Sequence, residues 1–537
     1  MNKKIWVWVA VIFFSVLFGL FIGNSLAYSK LNLRGTVTLP RFLRSQNNKI
    51  GEMLGLVNKE YVDTINAGAI AEELATDLAS SLDPHSVYIP AKALSDVNSD
   101  LEGTFSGVGI EFNIQQDTVM IVSVFSGGPS EKVGLLSGDR IIAVNDSNFT
   151  GKTISNERVI RNLRGKKGTQ VKLTVRRNGT RENLDFSVTR GDIPVNSVVA
   201  SYIIAPEIGF IRVDKFGAHT YSEFLNSLAT LSIQGAKKFI IDLRENSGGY
   251  MDAAIDMANE FLSSGQMIVY AKGRSYPYFE ARADGKGTCI DLPLAVLIDD
   301  FSASASEIFA GAMQDNDRAL LIGRRSFGKG LVQQQFPLSD GSAFRMTVAR
   351  YYTPSGRSIQ KPYTRGKSSD YDRELMDRYM HGEFYNADSV KVKDSLVYKT
   401  IGGRTVYGGG GIMPDIFVPR DTSQYTPYLN RAINSGYLYQ FAFKYTDENR
   451  NLLSKFSSWQ QLKQYLDKEP LLSAFTDFTA TKNLKVTQKE LDISKNLIIN
   501  TLQSYIVRNI FGDSGFYPIF YQNDEVVKKA VAEMKKK

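Results

Sequence analysis

The stretch 302–333, SASASEIFAGAMQDNDRALLIGRRSFGKGLVQ, carries three polar side chains whose types together can move an acyl group. Ser304 lies in a turn of small residues and can act as a nucleophile. Lys329 lies between Gly328 and Gly330 and beside Phe327, Leu331 and Val332, surroundings that disfavour an ammonium and lower its pKa toward neutrality. A neutral amine accepts a proton from a hydroxyl as a histidine does, so Lys329 is the candidate general base. Gln333 follows at a spacing that lets its amide hydrogen-bond the amine and orient it. Ser302 and Ser306 are the fallback nucleophiles of the same turn. A serine in S-x-S-x-S-E is ordinarily a helix N-cap, and the glycine-flanked lysine is what lifts Ser304 above that reading.

These side chains need elements that hold them. The buried strand pattern LAVLIDD (294–300) runs into the SASAS turn, and a helix pattern follows over 307–313. Ser304 is thereby placed at the carboxyl end of a strand and at a helix N-terminus, where free N–H groups favour developing negative charge. Strands at 208–213 and 238–244 and helices at 220–233 and 251–263 complete an α/β pattern. The second strand runs into LRENSGG (243–249), whose Gly248 or Gly249, with the N–H of Ala305, is a candidate oxyanion hole. The plainer reading of the two glycines is a tight turn.

Upstream, Ile50, Met53, Leu54, Val57 and Tyr61, then Ile70, Leu74 and Leu78, recur at helical spacing and predict a small helical domain. Pro84 in LDPHS (82–86) ends its second helix, and His85 closes it. From about Gly103 the period becomes strand-like, with strands 171–175 and 184–188 joined at Asn178-Gly179. Residues 361–400 form a charged, tyrosine-rich interruption, and GGRTVYGGGGIMPDIFVP (402–419) returns to the core. Beyond 420 the chain is mainly helical, with a stripe of Ile493, Leu497, Ile498, Leu502, Ile506 and Ile510.

Net charge is +8, from 64 Lys and Arg against 56 Asp and Glu, with the basic residues scattered apart from the terminal Lys535, Lys536 and Lys537. A solvated basic surface explains this better than nucleic-acid binding. The single cysteine, Cys289, allows no intramolecular disulfide and has no histidine nearby to activate it. His85, His219 and His381 lie in neither G-x-S-x-G nor HExxH contexts, so a Ser-His-Asp triad and a zinc site lack support, and no metal is expected. Lys3 and Lys4 precede a weakly polar run over 5–23, close to the ~20 residues that span a bilayer. An anchor is favoured over a removed signal, although Ser25, Leu26 and Ala27 offer a cleavage site; either way the rest of the chain is exported.

The segment 103–190, with GVGIEF (107–112) and PSEKVGLLSGDRIIAVND (129–146), resembles a PDZ domain. In that case backbone N–H groups around Gly107, Val108, Gly109 and Ile110 hold a terminal carboxylate, and the following strand adds the peptide by β-augmentation. The ordered set LDPHS (82–86), the PDZ-like segment, FIIDLRENSGG (239–249), SASASEIFAGAM (302–313), GRRSFGKGLVQ (323–333) and YYTPSGRSIQ (351–360) resembles the carboxyl-terminal processing peptidases, tail-specific serine proteases of family S41 with a Ser-Lys dyad. By that resemblance Ser304 is the nucleophile, Lys329 the base and Gln333 its support. Ser247 departs from the family's usual proline and is expected to loosen the glycine turn.

The resemblance implies an α/β multidomain fold: an anchor or signal segment (1–27), an N-terminal helical region (28–95), a PDZ-like domain (96–190), a crotonase-like ββα protease core (191–420) and a helical C-terminal extension (421–537). The implied function is an endopeptidase that cleaves the C-terminal tails of exported proteins. It needs no cofactor, works on the periplasmic side of the inner membrane and reaches the membrane through its N-terminus, with homodimerisation through helical ends. Two alternatives remain: a catalytically silent peptide- or lipophile-binding protein on the same fold, and acyl-CoA chemistry, which gives Lys329 no role.

Overall fold

The computed structural model describes residues 49–536 apart from Gln116, Ser126, Asn178 and 391–394. The N-terminal lysines, the apolar run 5–23 and the cleavage residues 25–27 lie outside the described residues. Among the described residues no helix is long and apolar enough to cross a membrane. The chain divides into two compact units, 1–74 and 75–537. The first contains the helix Lys49–Glu60, which buries no residue and leaves Ile50 and Met53 exposed. Its apolar stripe is present, but it covers no core of its own, because an amphipathic helix becomes part of a domain only when a second surface meets it.

The second unit is built on a sheet in the order Val198–Ala205, Ile208–Val213, Lys238–Asp242, Leu294–Ile298, Leu320–Gly323 and Ile416–Phe417. Its first two strands pair antiparallel and the rest parallel. Every residue of Ile208–Val213 and of Leu294–Ile298 is buried, the continuous apolar run of strands covered on both faces. Helices Thr220–Ile233, Met251–Asn259 and Ala305–Asp315 bury Phe224, Leu228, Met257, Phe309 and Met313 against one face. The final helix Glu525–Lys536 covers the other, setting Val526, Val527, Ala530 and Met534 against Phe210, Ile240 and Leu297. The C-terminal extension is thus part of the core's own packing.

A second sheet faces the site. In it Leu331–Pro337 pairs with Ala343–Tyr352, which also pairs with Val87–Ile89 and with Met267–Lys272. Helix Ala67–Leu82 ends at the LDPHS turn, as expected from Pro84, and the strand Val87–Ile89 directly follows that turn. His85 sits where the N-terminal chain joins the second sheet.

The PDZ-like segment forms a sheet in the order Ile110–Gln115, Thr118–Val124, Arg140–Val144, Gln170–Arg176 and Leu184–Thr189. Helix Asn156–Leu163 buries Val159 and Leu163 against Val108, Ile110, Val119 and Leu173. The strands Gln170–Arg176 and Leu184–Thr189 pair antiparallel as the expected hairpin, with Gly179 at φ 84° between them. Pairing of Thr104–Gly107 with Gly191–Pro194 forms the neck to the core. The C-terminal helices Pro427–Asn434 through Asp513–Phe520 bury Tyr428, Phe441, Phe475, Ile498, Leu502 and Ile506 in a core of their own. They meet the PDZ-like segment through Arg140 with Asp447 at 3.2 Å and Arg508 with Glu111 at 3.5 Å.

Candidate active site

Ser304 caps the helix Ala305–Asp315 with φ 56° and ψ −113°, a left-handed conformation that costs a non-glycine residue about 1–3 kcal/mol. Its neighbours over-determine that geometry. Glu307 accepts the Ser304 N–H at 2.9 Å, and the Ser304 carbonyl accepts the N–H groups of Glu307 and Ile308 at 2.9 Å each. The strained elbow turns the side chain into a cavity of about 510 Å³ also lined by Ser247, Gly248, Gly249, Ala305, Lys329, Gln333, Arg345 and Tyr351. Ser302 and Ser306 are excluded as nucleophiles. Both are fully buried and donate their hydroxyls to carbonyls, Ser302 to Leu243 at 2.7 Å and Ser306 to Asn246 at 2.9 Å.

Lys329 precedes the strand Leu331–Pro337, and its Nζ donates to Gln333 Oε1 at 2.8 Å. Burial, with the charge of Arg345 adding to it, holds the amine below the usual lysine range, against the weaker pull of Glu307 and Asp83. The amine is therefore closer to its neutral, proton-accepting form than a surface lysine. The glycines beside it have a packing reason: a Cβ on Gly328 would meet Gly411 N at 3.0 Å, and one on Gly330 would meet Gln360 N at 3.0 Å.

A residue that the sequence showed only as a helix-start signal joins the two halves. Glu307 is fully buried, and its Oε2 accepts the N–H of Ser304 and, at 2.8 Å, that of Lys329. Oε1 accepts the Gly328 N–H at 2.7 Å and the Ser326 hydroxyl at 2.5 Å. One carboxylate thus ties the nucleophile turn to the lysine turn. Burial raises its pKa to about 7 despite these four donors. Tyr351 makes a second tie: its hydroxyl lies 3.0 Å from the Ser304 carbonyl and 2.6 Å from that of Lys329 and shares one proton between them. The S-x-x-E spacing marked Glu307 as a capping partner, whereas nothing in YYTPSGRSIQ marked Tyr351.

The glycine turn requires two corrections. Gly248 does not offer its N–H to the cavity, because it donates to Asn246 Oδ1 at 2.8 Å. Gly248 serves as the floor: a Cβ there would meet Ser304 Cβ at 2.7 Å and Ala305 N at 3.0 Å. Among the described residues the N–H groups of Gly249 and Ala305 have no hydrogen-bond partner, the latter being the first orphan donor of its helix. Ser247, moreover, does not leave the turn loose. Asn246 is fully buried and pins it, donating to Val213 O at 2.8 Å while its own carbonyl accepts Ala303 N–H at 3.0 Å.

Residues 107–110 lie in the PDZ-like domain and do not line the catalytic cavity. Gly107 pairs with Gly191, Val108 and Ile110 are buried in the domain core, and Gly109 turns the chain at φ 78° with no room for a Cβ beside Ile193 and Pro129. The following strand Ile110–Gln115 is the first in its sheet, with one edge unpaired. Cys289 is buried, and burial pushes its thiol upward, away from reactivity.

Residues 207–371 match peptidase family S41, 106–188 match a PDZ domain, and 428–512 match a family of unknown function, DUF8443. The chain is 35% identical over 356 residues to the carboxy-terminal-processing protease of Bartonella bacilliformis, covering 65% of this chain and 80% of that one. It is 33% identical over 320 residues to the carboxy-terminal processing protease CtpB of Bacillus subtilis, covering 58% of this chain and 65% of that one. A solved structure of a photosystem II D1 C-terminal processing protease is 25% identical with a TM-score of 0.37, covering 69% of this chain and 86% of that one. The family match and these relatives make the chain a serine-type peptidase. The chain belongs to the carboxy-terminal processing proteases of peptidase family S41 and carries a PDZ domain.

Proposed function

We propose that this protein is an endopeptidase that cleaves protein tails by acyl transfer, with Ser304 as nucleophile and Lys329 as general base. The observation that carries this reading is Glu307, which binds the backbone of both residues and so holds both in one cavity. Ser304 Oγ attacks the scissile carbonyl as Lys329 Nζ takes its proton; the ammonium then returns that proton to the leaving amine. Water, deprotonated by the same amine, hydrolyses the acyl-enzyme. Ala305 N–H and Gly249 N–H are the donors proposed for the oxyanion, in place of Gly248. Gln333 keeps the amine aimed.

The PDZ domain supplies recognition in this proposal: its unpaired edge strand takes the tail as an added strand, and the loop 107–110 reads the free carboxylate. The run 5–23 supports export and an envelope location with the catalytic unit outside the inner membrane, and the exposed stripe of Lys49–Glu60 is offered to a second copy. Ser304→Ala and Lys329→Ala are each expected to abolish cleavage of a peptide with a free apolar C-terminus while leaving the melting curve cooperative. Undiminished peptidase activity in either variant would refute the assignment.

A further inference from the structure

Lys329 depends on the orientation of one amide. Gln333 presents Oε1 to Lys329 Nζ at 2.8 Å and Nε2 to the carbonyl of His85 at 2.5 Å. A backbone carbonyl only accepts hydrogen bonds, so it dictates which end of the amide faces it. Were the amide reversed, its N–H would donate to the lone pair that Lys329 needs for the Ser304 proton, and two carbonyls would face each other. The His85 carbonyl therefore decides whether the lysine can act as a base, and what fixes that carbonyl is part of the catalytic geometry.

Two structures fix it. Asp83 is buried, and its Oδ1 accepts the N–H groups of His85 and Ser86 at 2.9 Å each and the Thr347 hydroxyl at 3.1 Å; Oδ2 accepts the Ser86 hydroxyl at 2.6 Å. Thr347 is the strand residue paired with Gln333, so one register holds the turn and the amide together. The other fixture comes from the interruption 361–400. Tyr371, on the buried side of helix Ser368–Met380, places its hydroxyl 2.8 Å from His85 Nε2, the two rings meeting edge to face at 5.1 Å. The same hydroxyl is 3.4 Å from Gln360 Nε2, and Gln360 Oε1 accepts the N–H of Gly330, next to Lys329. Lys361 Nζ lies 4.0 Å from the Tyr371 ring centroid and donates to the Tyr371 carbonyl at 3.2 Å, tying the helix down.

We propose that Asp83, His85 and Tyr371 are positioning residues for the reaction, which lock the Gln333 amide with its oxygen toward Lys329, so that the segment 361–400 acts on the chemistry through the lysine. This rests on the dyad reading above. Helix Ser368–Met380, within that interruption, is on this account a brace against the catalytic lysine. Among the described residues the charged or titratable groups that face the lysine are Arg345, Glu307, Asp83, His85 and Tyr351, and none belongs to the inserted helix. Tyr371 thus acts through hydrogen-bond geometry rather than charge.

The test is a double-mutant cycle on the full chain with Tyr371→Phe and Gln333→Ala, reading kcat and KM separately on a tail peptide and the melting temperature of each variant. Phenylalanine keeps the ring contacts with His85, Phe327 and Tyr363 and removes only the hydroxyl. The expected result is a loss of about five-fold in kcat for Tyr371→Phe with KM unchanged, and no further loss when it is added to Gln333→Ala, because the group it aims is gone. The same five-fold loss in both backgrounds, a loss in KM alone or no loss at all overturns the proposal. Asp83→Asn runs through the same cycle, so a folding defect in one variant leaves the other to decide. Ser304→Ala separates the two levels: turnover surviving there removes the dyad itself, whereas an inactive Ser304→Ala with additive Tyr371→Phe effects removes only the brace.

Discussion

The catalytic cavity and the PDZ domain use backbone groups in opposite ways. Around Ser304 and Lys329 the backbone is tethered apart from the N–H groups of Gly249 and Ala305: Glu307 takes three N–H groups and a hydroxyl, and Tyr351 caps the two carbonyls. In the loop 107–110 the carbonyls are occupied, Val108 O by the N–H and hydroxyl of Ser130 at 3.0 and 2.7 Å and Gly109 O by Phe125 N–H at 3.1 Å, while the strand that follows keeps an open edge. Proton transfer needs atoms held within a fraction of an ångström, so the core spends its hydrogen-bonding capacity on itself. The proposed strand addition needs free donors and acceptors, and the edge of Ile110–Gln115 keeps them unpaired.

If rigid tethering is what distinguishes the core, Glu307→Gln is the sharpest way to break it. One end of the glutamine amide would set an NH₂ donor against the N–H groups that Glu307 now accepts. The expected outcome is a loss of about 100-fold in kcat with substrate binding retained, measured by steady-state kinetics; a variant with ordinary kcat would show that the tether is dispensable. Glu307 also has a pH signature in stability. Its pKa is raised to about 7, so the native state binds the extra proton between the ordinary carboxylate range and about 7, and stability falls as pH rises through that window. Thermal melts of the wild type and of Glu307→Gln across it should differ in slope.

Next in size is Arg345→Gln. On the proposed mechanism Lys329 acts as a neutral amine, so turnover should rise as pH passes through its pKa, and Arg345 is among the groups that lower that pKa. Removing the guanidinium raises the lysine's pKa and moves the acid limb of kcat to higher pH. A limb that stays in place or moves down would assign the limb to another group. The smallest effect belongs to the open edge. Amidating the tail of a peptide substrate should raise KM about ten-fold with kcat unchanged, since it deletes one charged recognition group and touches nothing in the cavity. Equal KM for amidated and free tails would remove carboxylate reading from the PDZ domain.

How much of this was legible in the chain depended on the range of the interaction. Ser304, Lys329 and Gln333 stood out because each sits in a local pattern, a small-residue turn or a glycine-flanked loop, and the combination of the two patterns suits a reactive pair better than either does alone. The alternation of buried strands and helices was equally local, and 208–213 and 220–233 follow from periodicity alone. The contact of His85 with Gln333 was not legible because it is made by a backbone carbonyl, which carries no sequence signature. Gly248 was misread because Asn246, two residues away, competes for its N–H. The charged, tyrosine-rich interruption 361–400 gave no sign of its packing because Lys361, Tyr371 and Arg378 become buried only when the helix folds back over the lysine loop. There Arg378 donates to the carbonyls of Arg325 and Ser326 at 2.8 and 3.1 Å.

By itself the sequence determined which chemistry is available: a hydroxyl, an amine disposed to be neutral, an amide to aim it and a strand edge for a peptide. Residue type and near-neighbour spacing suffice for that, because they set intrinsic reactivity and local backbone shape. Only the tertiary structure decided which donors remain free and which carboxylate joins the two halves of the site. Those outcomes depend on contacts such as Glu307 with Lys329 and His85 with Gln333, made between segments that only the folding of two sheets brings within hydrogen-bond distance.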